Sequence, residues 1–158
     1  MELENNALGF AMMLVHDREQ AEEIVQEAFA NVWASGNTPQ ERSAFKRWLY
    51  KAILNLARDQ ARHRTRWSLL HWWAPPPSNP FDEVERRADD AALVDALRRL
   101  DPRERAAIHL RYFEDRSFAE TAATLGVREN SARVIVHRAL AKLRRTMASA
   151  VAARGVEA

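Results

Sequence analysis

The sequence contains no cysteine, only four glycines and no long apolar run. The absence of cysteine excludes disulfide bonds, thiolate metal sites and thiol nucleophiles, and a reducing cytoplasm is the simplest compartment for such a chain. No apolar stretch approaches the roughly 20 residues that a membrane helix needs, and the N-terminal segment lacks the basic start of a secretory signal. We therefore expect a cytoplasmic protein without membrane insertion.

The chain also lacks the residue patterns on which catalysis would depend. Its five histidines show no metal-binding spacing, no phosphate-binding glycine loop is present, and no serine or pair of acids stands in a recognisable catalytic context. We expect neither an enzyme nor a metal or other cofactor.

Apolar residues that recur at helical spacing predict an all-α fold. Asp17 and Gln20 predict the capped start of one helix, and Thr38 predicts the start of a long helix that ends near Arg66. Three consecutive prolines, residues 75–77, then interrupt any helix. We expect two small helical domains, residues 1–66 and residues 82–158, joined by a Pro-rich linker over residues 67–81.

Charge is divided into blocks, which the net charge of +2 hides. Residues 1–35 hold one arginine against seven acidic residues, whereas residues 36–73 hold eight basic residues against two acidic ones. The acids of the first block recur on the outer face of a predicted helix and would repel DNA, so we expect a basic protein partner; an ordinary solvated surface is the alternative. This acidic face comprises Glu19, Glu22, Glu23, Gln26 and Glu27.

A basic row follows the long second helix. Its members are spaced three or four residues apart, so they lie on one face over about four turns, and such a row binds duplex phosphates through counterion release. A solvated basic face is again the alternative. The row comprises Arg47, Lys51, Asn55, Arg58 and Arg62.

The C-terminal segment has the pattern of a helix-turn-helix. Ser117 and Glu120 form a capping box before a short apolar helix, Gly126 ends that helix, and a longer one begins near Asn130. The longer helix is apolar on one side and polar or basic on the other, as a helix lying in the major groove requires. The candidate DNA-binding residues are Ser117, Asn130, Ser131, Arg133, Val134, His137, Arg138 and Lys142.

Three segments resemble bacterial RNA polymerase sigma factors of the extracytoplasmic-function (ECF) group. They are DREQAEEIVQEAFANVW, FKRWLYKAILNLARDQARHR and ALRRLDPRERAAIHLRYFEDRSFAETAATLGVRENSARVIVHRALAKLRR, in the family's order. The resemblance implies a sigma domain 2 whose acidic helix docks on the clamp helices of the largest polymerase subunit and whose basic helix faces the −10 promoter element. It also implies that Asn37 lies in the loop that captures a flipped base, and that domain 4 places residues 130–138 on the −35 element.

The resemblance extends to the linker and has two departures. Trp67, Trp72 and Trp73 would follow polymerase toward the RNA exit path; core packing and contact with an anti-sigma protein are the alternatives. Family members usually carry more residues ahead of ALGFAMMLV, so we expect the first helix of domain 2 to be short or missing. The last helix lacks the family's Gly-Thr-Val, which reduces base readout or redirects it, through Val134, to a thymine methyl.

These observations predict an alternative sigma factor that directs core polymerase to specific promoters and supports transcription initiation. Its expected partners are RNA polymerase core enzyme, promoter DNA and an anti-sigma factor. Two alternatives stay open: a helix-turn-helix regulator that does not dock on polymerase, and a sigma mimic that sequesters an anti-sigma factor.

Overall fold

The structure, a computed structural model, describes residues 1–70 and 88–156. Within them all regular structure is helical, as predicted, and none of these helices is both long enough and apolar enough to cross a bilayer. The prolines and most of the predicted linker lie outside the described residues. The helices are α1 (Glu2–Val15), α2 (Arg18–Ala34), α3 (Arg42–Leu70), α4 (Ala88–Arg98), α5 (Pro102–Ile108), α6 (Phe118–Leu125) and α7 (Glu129–Val156), with a π turn at His109–Phe113.

Polar caps set the starts of α2 and α6 where the sequence predicts them. The Asp17 carboxylate accepts a hydrogen bond from the Gln20 amide at 2.9 Å, although the Gln20 side chain itself accepts a bond from Arg64. Ser117 and Glu120 form a reciprocal capping box at the start of α6. Each cap satisfies a backbone N–H that has no partner within its own helix.

The start of α3 differs from the prediction. The Thr38 hydroxyl donates to the Val32 carbonyl at 3.2 Å, so it closes the end of α2 and does not open the next helix. The Glu41 carboxylate instead accepts a hydrogen bond from the Ala44 amide at 3.1 Å, and α3 begins at Arg42, directly after Glu41. The helix spans Arg42–Leu70 and so extends beyond its predicted end.

The first helix, expected to be short or missing, is present at residues Glu2–Val15. Over its 14 residues α1 buries Ala7, Phe10, Ala11 and Leu14, which pack against α2 and α3. These positions repeat at the three- and four-residue spacing of one helix face. The N-terminal half is therefore a three-helix unit with an apolar centre.

The N-terminal and C-terminal halves share one apolar core. Buried residues of α1, α2 and α3 continue without a break into Ala106 of α5, Leu110 of the π turn and Val136 of α7. The Phe10 ring stacks on the Tyr50 ring with centroids 4.5 Å apart and lies 5.2 Å from the His109 ring. No sequence pattern predicts this contact between the halves.

A polar cluster closes the same contact. Glu114, which follows the π turn, accepts a hydrogen bond from the Tyr50 hydroxyl and lies 2.9 Å from the Lys46 ammonium. Burial by itself would raise the pKa of Glu114, but hydrogen bonds from His109, Tyr50 and Lys46 outweigh it and hold the pKa at about 2. The carboxylate is therefore ionised at neutral pH, paired with groups of the other half.

Arg105 makes a second tie between the halves. Its guanidinium donates to the Leu14 carbonyl near the end of α1 at 2.6 Å, and it also bonds the Leu100 carbonyl ahead of α5. The residue that ends α1, His16, lies close by in a left-handed conformation with φ 55°. Burial, together with the charges of Arg105 and Arg98, lowers the pKa of His16 to about 4.

We expect Glu114→Gln to lower the free energy of unfolding at pH 7 by about 2 kcal/mol, because the Lys46 ammonium would lose the carboxylate that it pairs with. Urea unfolding measures this loss. The folded pKa lies below the ordinary 4.5, so the contribution is complete above pH 4.5 and disappears as pH falls toward 2. Asp115→Asn, at the exposed neighbouring residue, is the matched control and should change stability by less than about 0.5 kcal/mol. Equal losses in the two variants would contradict the assignment.

A second pH dependence should arise from His16. The unfolded chain takes up a proton near pH 6.5 that the folded protein takes up only near pH 4, so stability falls as pH decreases through this window. Asparagine tolerates the left-handed backbone, so His16→Asn is the test variant. We expect its free energy of unfolding to fall about 2 kcal/mol less than that of the wild type as pH decreases through this window, measured by urea unfolding at successive pH values. His137→Asn, at an exposed position of α7, should retain the wild-type slope.

Candidate nucleic-acid and protein interfaces

The outer face of α2 is acidic and open to solvent. Ala21, Ile24, Val25 and Ala28 turn toward the core, and the intervening positions point away from it. Glu22 lies 2.8 Å from Arg18 in a surface ion pair one turn back along the helix. Negative charge of this density repels DNA and favours a basic protein. The exposed face carries Glu19, Glu22, Glu23, Gln26 and Glu27.

Trp33 extends this face and was missed by the sequence analysis. Its side chain is 78% exposed, and it stands seven residues after Gln26, which places both on one side of α2. A large exposed tryptophan is the kind of residue that often dominates a protein–protein interface. The signal in the sequence for an exposed Trp33 is its position next to Val32, outside the apolar stripe of α2.

The basic row of α3 is only partly open. Arg47, Lys51, Asn55 and Arg62 are exposed, whereas Arg58 is half-buried. The C-terminal half lies alongside the row: the Lys51 ammonium is 3.7 Å from where a Cβ on Gly126 would lie. Arg58 and Arg62 border a groove against the start of α5. The sequence predicts that these residues share a face, but not that another part of the chain covers it in part.

Asn37 lies in the loop between α2 and α3 and is exposed. Its backbone amide donates to the Ser35 hydroxyl at 3.4 Å, and Gly36 before it adopts φ 65°. The left-handed glycine turns the chain sharply between the acidic helix and the basic helix. The loop thus presents Asn37 between the two charged surfaces.

A helix-turn-helix is formed by α6 and α7. Gly126 ends α6 at φ 68°, a conformation that favours glycine, and α7 begins at Glu129. The inner side of α7 buries Ala132, Val136 and Ala139. Its outer side is exposed at Asn130, Ser131, Arg133, Val134, His137 and Arg138.

Arg133 is held in place at the first turns of α7. Its guanidinium lies 4.5 Å from the centroid of the Phe118 ring and 2.6 Å from the Glu129 carboxylate. The Arg111 guanidinium lies over the same ring at 4.4 Å. Cation–π contacts of this kind restrict a long side chain before it meets a ligand, which lowers the entropy cost of binding.

Lys142 and Ser117, two other predicted DNA contacts, also have partners within the protein. The Lys142 ammonium lies 2.6 Å from the Glu104 carboxylate, which is 10% exposed, and so joins α7 to α5. Contact of Lys142 with DNA stays a prediction, and full release of its ammonium to DNA would leave the Glu104 carboxylate buried without this partner. The Ser117 hydroxyl accepts a hydrogen bond from the Glu120 amide at 3.1 Å.

Metal-binding side chains do not cluster within residues 1–70 and 88–156. No group of three or more His, Asp or Glu side chains in these ranges is arranged to hold a metal ion. The pocket between α3 and the helix-turn-helix, bordered by Lys46, Arg47, Glu114 and Arg116, has a volume of about 60 Å³. That volume accommodates about two water molecules.

Comparison with known proteins matches both halves to one family. The family models for Sigma-70 region 2 and Sigma-70 region 4 match residues 2–67 and 96–145. The RNA polymerase sigma-E factor of Streptomyces coelicolor is 32% identical over 147 residues, which cover 87% of this chain and 77% of that protein. The ECF sigma factor SigL of Mycobacterium tuberculosis is 30% identical over 145 residues, covering 87% and 80%.

The chain belongs to the ECF group of RNA polymerase sigma factors. As a sigma factor it directs core polymerase to specific promoters and supports transcription initiation. The fold agrees: the sigma factor RpoE of Bartonella quintana, solved in complex with the anti-sigma factor NepR, superimposes with a TM-score of 0.68. The match covers 92% of each chain at 23% sequence identity, and it shows that the two chains share a fold.

The position of Arg133 leads to a test of promoter recognition. We expect Arg133→Ala to reduce run-off transcription by purified core polymerase about tenfold, the order expected for loss of one bidentate base contact. Arg99→Ala, at an exposed site at the end of α4, removes the same charge and should leave the transcript yield within about twofold of wild type. Equal yields from the two variants would exclude a promoter contact by Arg133.

Proposed function

We propose that this sigma factor uses three separate surfaces for its partners. The acidic face of α2 with Trp33 binds core polymerase, the basic row of α3 with Asn37 binds the −10 element, and the outer face of α7 binds the −35 element. The observation that carries the proposal is the exposure of faces of opposite charge on neighbouring helices of one chain. The acidic face repels DNA, whereas the two basic surfaces attract it. This combination suits a subunit that connects RNA polymerase to a promoter.

The domain limits follow the same division. We assign residues 1–66 to domain 2, residues 67–81 to the linker and residues 82–158 to domain 4. The two family matches, which end at residue 67 and resume at residue 96, support this division.

Docking on polymerase rests on the chemistry of the α2 face. Its carboxylates would pair with basic side chains of the polymerase clamp, and Trp33 would supply buried apolar contact at one end. Charge complementarity steers association, whereas a buried aromatic residue contributes most of the affinity. A stand-alone DNA-binding regulator has no need of such a face.

Promoter contact divides into positioning and readout. Arg47, Lys51 and Arg138 would bind phosphates, while Asn130 and Arg133 stand at the first turns of α7, where side chains reach base edges. Asn37 would hold a base displaced from the opened −10 region. Strand opening on this scheme uses base capture and stacking, without bond-making chemistry by the sigma factor, and takes place in the cytoplasm.

An anti-sigma factor is the proposed regulator. The structural neighbour RpoE was solved with the anti-sigma factor NepR, and the likeness covers 92% of this chain. The same exposed acidic and basic faces that serve polymerase and promoter would be the surfaces that such a protein covers.

The docking assignment is tested with the double variant Glu23→Ala/Gln26→Ala. We expect its affinity for core polymerase to fall about tenfold or more, because two central members of the acidic face are lost. Glu4→Ala, at an exposed acid of α1, is the control and should bind polymerase as wild type does. Competition against a labelled wild-type chain measures the affinities.

The same variants separate docking from DNA binding. Binding of a duplex −35 oligonucleotide should be unchanged in the double variant, since α7 is untouched. Unaltered polymerase affinity would overturn the docking surface. Tight promoter binding by the wild-type chain alone, with no transcript on addition of core polymerase, would favour a regulator that acts without polymerase.

A further inference from the structure

A groove between the two halves concentrates positive charge that carboxylates of the described residues neutralise only in part. It runs between the C-terminal part of α3 and the start of α5, with a volume of about 330 Å³. Arg58 and Arg62 border it from α3, and Arg103 borders it from α5. Among the described residues that line it, Asp101 carries a negative charge.

The counter-charges near these arginines are few. In residues 1–70 and 88–156, neither Arg58 nor Arg103 lies within ion-pair distance of a carboxylate, and Arg62 lies 3.6 Å from exposed Asp59. The Asp101 carboxylate accepts a bond from the Glu104 amide as the cap of α5. Burial, followed by repulsion from Arg103 and Arg62, lowers the pKa of Arg58 more than attraction by Asp101 and Asp59 raises it.

The donors in this groove suit an oxyanion. The Nε of Arg103 is buried without a hydrogen-bond partner, and Arg103 and Arg58, which line the groove, are each half-buried. Guanidinium groups present parallel N–H donors that match two oxygens of a phosphate, and they lose less hydration than an ammonium when they do so. Arginines that line one groove from two elements can contact an anion from both sides.

We propose that Arg58, Arg62 and Arg103 form a seat for a phosphate group, which bridges α3 and α5 and stabilises the packed arrangement of the two halves. The phosphate comes either from a free polyphosphate anion or from a nucleic-acid backbone. Because Arg58 and Arg62 also belong to the basic row of α3, a free anion in the seat competes with DNA for the same guanidiniums. Arg103 lies outside both proposed promoter surfaces and therefore tests the seat separately from the proposed function.

The test uses thermal unfolding of the full chain with millimolar pyrophosphate, compared with sodium chloride at equal ionic strength. We expect pyrophosphate to raise the melting temperature of the wild type by roughly 3 °C or more. Arg103→Gln should lose at least half of that shift, whereas Arg99→Gln, an exposed arginine outside the groove, should keep it. In chloride alone, Arg103→Gln should be at least as stable as wild type, since it relieves repulsion.

A wild-type chain that shows no pyrophosphate shift overturns the seat, as does an Arg103→Gln variant that responds like Arg99→Gln. A labelled duplex oligonucleotide then identifies the source of the phosphate. Several-fold weaker oligonucleotide binding by Arg103→Gln, with displacement by pyrophosphate in the wild type, assigns the seat to the nucleic-acid backbone. Unchanged oligonucleotide binding with loss of the pyrophosphate shift assigns it to a free anion.

Discussion

Tyr50 holds the two halves of this sigma factor together from the middle of α3. Its ring is 1% exposed and stacks on Phe10, while its hydroxyl donates to Glu114 in the other half. Burial, reinforced by the Glu114 carboxylate, raises the pKa of Tyr50, so the phenol remains a hydrogen-bond donor. An aromatic ring with a polar tip can close an apolar core and satisfy a buried charge at the same time. The packing of α5 and the π turn on α1 and α3 depends on this pair.

This arrangement affects the three proposed surfaces unequally. The acidic face of α2 and the outer side of α7 are exposed while the halves are packed together, so neither surface needs the contact to open. The basic row of α3 is different, because Lys51 lies beside Gly126 and Arg58 lies half-buried next to α5. Binding of DNA along the whole row, as proposed, would therefore compete with the contact between the halves. Polymerase docking and promoter contact thus make different demands on the same fold.

Predictions from the sequence succeeded where the deciding interaction is local. The caps at Asp17 and Ser117, and the turn at Gly126, depend on residues within four positions of one another. Thr38 shows the limit of that approach: its hydroxyl was free to cap the helix after it or the helix before it, and the geometry of the loop selected Val32. Trp33 was missed because it stands next to the apolar stripe of α2, and only the packing of the helices leaves its side chain 78% exposed.

The sequence by itself determined the helices, the sign of charge on each face and membership of the sigma factor family, because helical periodicity and short motifs are local properties. Only the tertiary structure determines which charged side chains form ion pairs within the protein. Glu104 forms an ion pair with Lys142, and Glu114 forms one with Lys46. The three arginines of the groove line it from α3 and from α5. These pairs join residues that are distant along the chain, and no local pattern encodes their distance. Burial makes their charges costly to leave unpaired, so the packing of the halves determines which side chains remain available for DNA.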